Sequence, residues 1–160
     1  MRAAAFLFLA ACGGAAPVVT STIALEQGLV ASDIGAYRVS VIAPLDKKGA
    51  HLTHADGSPL TCADFLADQL PASTLVLYAD GTFTLDPNDP ASRTHDLKVP
   101  PGAGDWVLGE AFASADAYAK TVARACTNNV TVQPGKVTNV PLDFYPCVAG
   151  PVDNPRLTCQ

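Results

Sequence analysis

The chain contains several short runs in which apolar and polar residues alternate, separated by Gly, Pro and Asp. Alternation with a period of two is typical of strands that bury one face. Such strands are predicted at residues 37–42, 95–99, 106–113, 130–132 and 140–144. Short strands joined by tight turns indicate an all-β fold, an antiparallel β-sandwich, because half-buried sheets must cover their apolar faces with one another.

Two dipeptides predict the turns of β-hairpins. Asp80-Gly81 lies between two β-prone runs of residues 75–85 and suits the positive φ angles of a type I′ turn. Pro134-Gly135 lies between the last two predicted strands. We therefore expect one hairpin over residues 75–85 and a last hairpin near the carboxyl end.

One short helix is predicted near residues 62–70. Thr61 is followed three residues later by Asp64, a spacing that caps exposed amide donors at a helix start, and Pro71 ends the segment. Residues 45–61 are polar and turn-rich, which indicates a loop or a loose hairpin. Composition agrees with a strand-and-turn protein, since the chain has 13 Pro and 12 Gly, and its carboxylates are 13 Asp against 2 Glu.

The amino-terminal residues have the parts of an export signal. Arg2 precedes a short apolar run that ends in Leu9-Ala10-Ala11-Cys12. A bilayer-spanning helix needs roughly 20 apolar residues, so this run is too short to be one. The motif resembles the lipobox of bacterial lipoproteins, in which cleavage before the cysteine frees its sulfur to carry diacylglycerol. An ordinary secretory signal is the alternative.

The resemblance to lipoproteins divides the chain. It implies a signal peptide at residues 1–11, a lipidated Cys12 with a flexible tether at 12–32, a sandwich domain at 33–148 and a cysteine-tethered tail at 149–160. Two or more acyl chains would anchor the protein stably in a membrane. Gly13, rather than Asp, follows the cysteine, which by analogy favours delivery to the outer membrane.

Charge excludes one class of partner. Loss of Arg2 with the signal leaves 9 basic and 15 acidic residues, a net charge of −6 with neutral histidines. Nucleic-acid-binding proteins present clustered Lys and Arg, whereas Lys47-Lys48 is the only basic pair in this sequence. Nucleic acid is therefore not an expected partner.

Four further cysteines form an even set, which indicates disulfides in an exported chain. Three pairings are open, and we favour Cys62 with Cys126 and Cys147 with Cys159, because the last two bracket a Pro/Gly-rich tail. A zinc site is the competing interpretation, but the sequence has no Cys-x-x-Cys or Cys-x-x-His spacing.

Residues 95–145 carry turns that resemble those of a known sandwich family. Val99-Pro100-Pro101-Gly102 leads into the strand of Trp106, and Val132-Gln133-Pro134-Gly135 joins the final strands. Both turns are similar to those of carboxypeptidase-regulatory-like and transthyretin-like domains. The resemblance implies an Ig-like or transthyretin-like sandwich and a non-catalytic module of the bacterial envelope. The insertion around Cys62 and the extra Pro101 depart from the pattern.

Candidate metal ligands fall into two groups. His51, His54 and Asp56 place two imidazoles and a carboxylate within six residues, and a further ligand would have to come from a distant loop, such as His95 or Asp96. Oxygen ligands for calcium occur at Asp86, Asn88 and Asp89, without the glycine and glutamate of an EF-hand. Both groups are also ordinary turn sequences, and we expect no dedicated metal or cofactor.

Catalytic signatures are missing from the sequence. Neither Gly-x-Ser-x-Gly nor His-Glu-x-x-His occurs. Trp106 could belong to a carbohydrate platform, but its place in an alternating run favours a buried anchor. The expected function is therefore a lipid-anchored envelope protein with a non-enzymatic binding or structural module, meeting envelope proteins or carbohydrate. The alternatives are a metal-dependent envelope enzyme using His51, His54 and an aspartate, and a subunit of a secretion or adhesion assembly.

Overall fold

The computed structural model describes residues 16–46, 48–66, 76–116 and 120–147. Strands dominate this part of the chain, with one short helix, Cys62–Leu66 (α1), and two 3₁₀ turns, Ala31–Asp33 and Pro90–Arg93. The strands are Val18–Leu25 (β1), Ala36–Ala43 (β2), Val76–Thr84 (β3), Thr94–Lys98 (β4), Gly102–Phe112 (β5), Thr121–Val132 (β6) and Val137–Pro146 (β7). The predicted all-β class is confirmed.

The seven strands form one sheet in the order β3-β2-β5-β6-β7-β1-β4. Its two edge strands approach each other, since the Phe83 ring of β3 stacks on the His95 ring of β4 with centroids 3.9 Å apart and planes at 5°. Tyr37 lies beside both rings, and its hydroxyl donates to the Ser92 carbonyl at 2.7 Å. The sheet is therefore nearly closed.

The flexible tether predicted for residues 12–32 does not extend over residues 18–25. Residues 18–25 form β1, which lies between β4 and β7, and Val19 and Ile23 point into the core. Thr20 and Thr22 occupy outward positions and Ser21 is buried on the inner face, so apolar and polar residues do not alternate regularly and the strand was hidden by its polar composition. It pairs in parallel with β7, so the predicted antiparallel arrangement is also wrong for this pair.

The hairpin predicted over residues 75–85 is wrong. Residues 76–84 form one continuous strand, in which Asp80 and Gly81 pair with Ser40 and Val39 of β2. Gly81 serves packing rather than a turn, because a Cβ built on it would lie 2.6 Å from Phe83 Cζ. A neighbouring strand that satisfies the backbone hydrogen bonds removes the need for a local turn.

The last predicted turn exists, but its strands have other partners. The Lys136 N–H donates to the Gln133 carbonyl at 3.2 Å, and Gly135 has a φ of 66°. Beyond this turn, β7 pairs with β1 along the whole of β1, whereas its ladder with β6 consists of Ala123 opposite Pro146 and Arg124 opposite Tyr145. The first and last described strands, β1 and β7, are therefore hydrogen-bonded neighbours in the sheet.

The main core lies on the inner face of the sheet. Every strand contributes to or packs against it, and its most deeply buried large side chains include Tyr37, Val39, Leu142 and Phe144. Gly109 leaves room for the Phe144 ring, because a Cβ there would meet Phe144 Cζ at 2.5 Å. The alternation that predicted β2, β5 and β7 is therefore the alternation of inward and outward positions.

Candidate functional site

A long connection between β2 and α1 is folded by its own aspartates. Asp46 Oδ1 accepts hydrogen bonds from the Lys48 and Ala50 N–H groups at 2.8 and 2.9 Å, and Gly49 takes a φ of 82°. Ten residues later, Asp56 forms the same kind of turn with Ser58. Leu45 bridges His51, and Thr53 bridges Pro59, so two small loops follow each other. The predicted loop or loose hairpin is confirmed as this double turn.

Two carboxylates in these turns are stabilised in their charged form. Hydrogen bonds from Ala50 and Lys48 lower the pKa of Asp46, and those from the Ser58 hydroxyl and N–H lower the pKa of Asp56. The Ser58 hydroxyl donates to Asp56 Oδ1 at 2.6 Å. Both side chains therefore act as turn formers, as Asp commonly does in loops.

The predicted helix cap is confirmed. Asp64 Oδ2 accepts from the Thr61 N–H at 2.6 Å and from the Thr61 hydroxyl at 2.9 Å, at the start of α1. His54 Nε2 lies 3.2 Å from Asp64 Oδ1. Burial acts to raise the pKa of Asp64, but the Thr61 hydrogen bonds and the His54 charge outweigh it and lower that pKa below its ordinary value.

This connection and α1, residues 44–66, are called the covering segment below, because they lie over the outer face of the sheet. Cys62 of α1 forms a disulfide with Cys126 of β6, with Cα atoms 5.5 Å apart. The predicted pairing of these two cysteines is confirmed. Under the segment lies a second apolar cluster, in which buried Ile42, Trp106 and Leu108 contact Leu60 and Phe65. Trp106 is 4% exposed, as predicted for a buried anchor.

A row of charges crosses the same outer face. Arg38 of β2, Glu110 of β5 and Arg124 of β6 are in register on adjacent strands. The Arg38 guanidinium donates to Glu110 Oε2, and Arg124 Nε lies 3.9 Å from Glu110 Oε1. Arg124 is only 6% exposed; its Nη1 donates to the Phe65 carbonyl at 3.2 Å, and its guanidinium lies 5.4 Å from the Phe65 ring centroid. The row ties the sheet to the covering segment.

A depression of about 180 Å³ opens beside the exposed end of this row. The Arg38 guanidinium lies 5.8 Å from the centroid of the Phe112 ring, and the Ser114 hydroxyl donates to Asp116 Oδ2 at 3.1 Å. The lining residues are Ala36, Arg38, Thr82, Phe112, Ser114, Ala115 and Asp116. Side chains of both charge signs line this small opening. Sequence reasoning missed this site because its residues come from three strands and a loop.

The candidate metal residues are not assembled into a site. His51 is exposed in a bridge to Leu45, His54 contacts Asp64, and Asp56 is bonded to Ser58. Within residues 16–46, 48–66, 76–116 and 120–147, no group of three or more His, Cys, Asp or Glu side chains could hold a metal ion. His95, named as a distant ligand, instead stacks on Phe83, while Asp96 accepts from the Thr20 hydroxyl at 2.6 Å.

The proposed calcium residues are also used locally. Asp86 Oδ1 accepts from the Asn88 N–H at 2.9 Å, and Asp89 Oδ1 accepts from the Ala91 N–H at 2.9 Å. Asp89 is thereby the cap of the 3₁₀ turn Pro90–Arg93, whose proline at the first position needs no donor partner. These three residues build the loop between β3 and β4.

Several predicted features lie outside the described residues. These are the lipobox with Cys12, the signal peptide at 1–11, residues 67–70 of the predicted helix with Pro71, the tail at 149–160 and Cys159. Cys147 is disulfide-bonded, but its predicted pairing with Cys159 stays a prediction.

Comparison with known proteins assigns no family. No protein-family model matches the chain, and no curated protein sequence matches it. In the part of the chain that the structure describes, no helix is long and apolar enough to cross a membrane.

Proposed function

We propose that this chain is a lipid-anchored protein of the bacterial cell envelope, held at Cys12, whose strand domain is a non-enzymatic binding or structural module. The lipobox resemblance of Leu9-Ala10-Ala11-Cys12 motivates the anchor. The observation that carries the export half of the proposal is the Cys62–Cys126 disulfide, because such crosslinks persist in oxidising compartments. An outer-membrane location and the resemblance to carboxypeptidase-regulatory-like domains belong to the same proposal.

The position of β1 supports an anchor at this end of the chain. β1 begins at Val18, six residues after Cys12, and is hydrogen-bonded on both sides, to β4 and to β7. A pull on Cys12 would therefore be carried by an internal strand rather than by a loosely attached end. This is a suitable mechanical arrangement for a tethered domain.

We further propose that the sheet is divided into two layers, β4-β1-β7 and β3-β2-β5-β6, which face each other as a sandwich. The two described ladder pairs between β6 and β7 lie at one end of these strands. Farther along, contact is made by side chains, as where the Thr127 hydroxyl donates to the Pro141 carbonyl at 2.8 Å. An experimental structure in which β6 and β7 pair along their whole length would contradict the sandwich.

Metabolic labelling tests the anchor. Cells expressing the full chain are grown with radiolabelled palmitate and compared with cells expressing Cys12→Ser. We expect label in the parent chain alone, and release of the variant from the membrane fraction. An unlabelled parent that fractionates like Cys12→Ser would refute the anchor.

A second candidate function is a subunit of an envelope assembly, and strand β3 favours it. β3 is an edge of the sheet, and Leu77 and Tyr78 are 53% and 36% exposed. Tyr78 is the extra residue of a bulge, since Val41 and Ile42 of β2 pair with Ala79 and Leu77. An exposed edge can accept a strand from another chain, although a bulge hinders it. Leu77→Lys should abolish co-purification of such a partner, while Val30→Lys, at an equally exposed apolar residue outside β3, should not.

A further inference from the structure

The strand that leads from Cys12 into the domain begins between two lysines. Val18 of β1 is in register with Lys98 of β4 on one side. On its other side, the Val18 N–H donates to the Lys136 carbonyl at 3.1 Å, and Val18 is in register with Val137 of β7. Lys98 and Lys136 are exposed, and Val137 is 63% exposed. These four residues are called the tether-side patch.

The patch faces away from the core. The next residue of β1, Val19, and the preceding residue of β4, Leu97, are both buried. Because side chains alternate along a strand, Val18 and Lys98 point outward together. Half-buried Val18 and exposed Val137 lie beside the two lysines, so apolar surface and positive charge are combined at the point where the chain enters the domain.

The opposite end of the strands is acidic. Residues 26–35, 85–93 and 113–116 lie there together with Lys120, because Ala36, at the start of β2, pairs with both Thr84 and Phe112. Among the described residues of these loops there are five acidic side chains and two basic ones: Glu26, Asp33, Asp86, Asp89 and Asp116, with Arg93 and Lys120. This end therefore has a net negative charge.

Acidic groups also occur near the patch, and the hydrogen bonds that they accept leave their charges in place. Asp96, two residues from Lys98, accepts from the Thr20 hydroxyl at 2.6 Å. Asp46, in the turn after β2, accepts from the Lys48 backbone and is attracted to the Lys48 side chain. The described charges at this end therefore roughly balance, whereas the described loops at the other end carry five acidic and two basic side chains, and the less acidic end carries the tether.

The short segment between Cys12 and Val18 keeps the tether-side patch close to the surface to which Cys12 is attached. Val18 is six positions after Cys12, and an extended chain of that length spans at most about 21 Å. At physiological salt, charges interact over about 8 Å, so the patch can come within range of a charged surface at the membrane.

We propose that the tether-side patch rests on the anionic phospholipid headgroups of the membrane that holds Cys12, with the acidic end turned away. This inference rests on the proposed lipid anchor. Lys98 and Lys136 would each strengthen the contact about fivefold, as lysines do beside anionic bilayers, while anionic lipid repels the loops at the other end. The domain would then stand with its strands roughly along the membrane normal.

Lysine acetylation measures this orientation in the full chain. The purified lipoprotein is reconstituted into vesicles of phosphatidylcholine alone or with 25% phosphatidylglycerol, treated with a water-soluble acetylating reagent and analysed by peptide mass spectrometry. On anionic vesicles we expect Lys98 and Lys136 to react at least about fivefold more slowly, relative to Lys120, than in detergent. High salt should remove most of the protection. Equal rates at the three lysines would overturn the proposal.

A matched pair of variants tests the electrostatic cause. Lys98→Glu should restore the acetylation of Lys136 about fivefold on anionic vesicles, whereas Lys120→Glu, at the far end, should leave it unchanged. Equal effects of the two variants would contradict the assignment of the patch.

Lipidation of Cys12 is measured separately from the orientation of the domain. Flotation with vesicles and the mass of the peptide containing Cys12 report lipidation independently of the lysine rates. If Cys12 carries no lipid, the same chain is mixed with excess anionic vesicles, and slower acetylation of Lys98 and Lys136 than of Lys120 would still support the patch. Equal rates there would refute it.

Discussion

The two faces of strands β2, β5 and β6 bury apolar side chains by different means. On the inner face, Val39, Val107 and Ala125 are fully buried against the remaining strands of the nearly closed sheet. On the outer face, Ile42 and Trp106 are nearly as buried, but beneath the covering segment, which has only the five residues of α1 in regular helix or strand. The inner face excludes water through strand packing, whereas the outer face depends on one crosslink and a few polar contacts.

The comparison shows how a small domain can cover both faces of a sheet. A second layer of strands needs a long stretch of alternating sequence, but a covering segment needs only turn-forming aspartates, a capped helix and a tie to the sheet. The cost is that stability on the outer face is concentrated in few interactions. Mutations should therefore act differently on the two faces.

The largest effect is expected from removing the aromatic centre of the inner core. Phe144→Ala empties a position that is 0% exposed, so we expect the free energy of unfolding to fall by about 3–5 kcal/mol. Urea denaturation followed by circular dichroism measures it. Tyr145→Ala, at the neighbouring residue that is 40% exposed, is the control and should change stability by less than about 1 kcal/mol. Similar losses in both variants would contradict the assigned core.

The next largest loss of stability is expected from removing the Cys62–Cys126 disulfide on the outer face. Cys62→Ser with Cys126→Ser opens a loop closed across 64 residues, which should lower stability by about 2–4 kcal/mol through the entropy of the unfolded chain. Trp106, the single tryptophan, lies under the released segment and should shift its fluorescence to longer wavelength. Unchanged fluorescence emission of the folded double variant would mean that the polar contacts alone hold the covering segment on the sheet.

A smaller loss of stability is expected from adding volume to the closely packed inner face. Gly109→Ala places a methyl group 2.5 Å from Phe144 Cζ, so overpacking should cost about 1–3 kcal/mol. Combining it with Phe144→Leu, which shortens the obstructing side chain, should recover part of this loss. Thermal unfolding of the single and double variants measures the coupling, and strictly additive effects would contradict the contact.

The smallest expected effect is pH-dependent and lies on the outer face. Asp64 has a pKa below its unfolded value of about 3.9, so its carboxylate stabilises the fold above that pH, and the contribution is lost as pH falls through the folded pKa. Asp64→Asn should cost about 1 kcal/mol at pH 7 and progressively less below pH 4. Asp80→Asn, at an exposed residue of β3, serves as control. A deficit that stays constant from pH 7 to pH 2 would exclude this charge effect.

Local pattern predicted several elements because the residues concerned interact with near neighbours. The Thr61–Asp64 cap is one case, and the alternation around Tyr37 is another. The Asp80-Gly81 hairpin failed because the turn propensity of two residues is weak beside a full ladder with β2. β1 was missed because its polar outward positions resemble a linker, and only pairing with β4 and β7 makes it a strand.

For the candidate sites, the sequence showed which residue types could form a site, but it did not show which of them lie close together in the fold. The Cys62–Cys126 pairing was the favoured one of three, and it is formed because the covering segment places Cys62 next to Cys126 of β6. The predicted cluster of His51, His54 and Asp56 does not converge, since each is engaged in its own turn or cap. The depression beside Arg38 joins residues up to 80 positions apart and has no local signature.

By itself, the sequence determined the all-β class, the positions of most strands and turns, the capped helix and the resemblance of its first residues to a lipobox. Tertiary structure decided the parallel pairing of β1 with β7, the path of β3, the covering segment over Trp106 and the excess of acidic residues at one end of the strands. The division has a physical reason. Alternation and turn chemistry act over a few residues, whereas strand order and burial are selected by the free energy of covering all apolar faces at once.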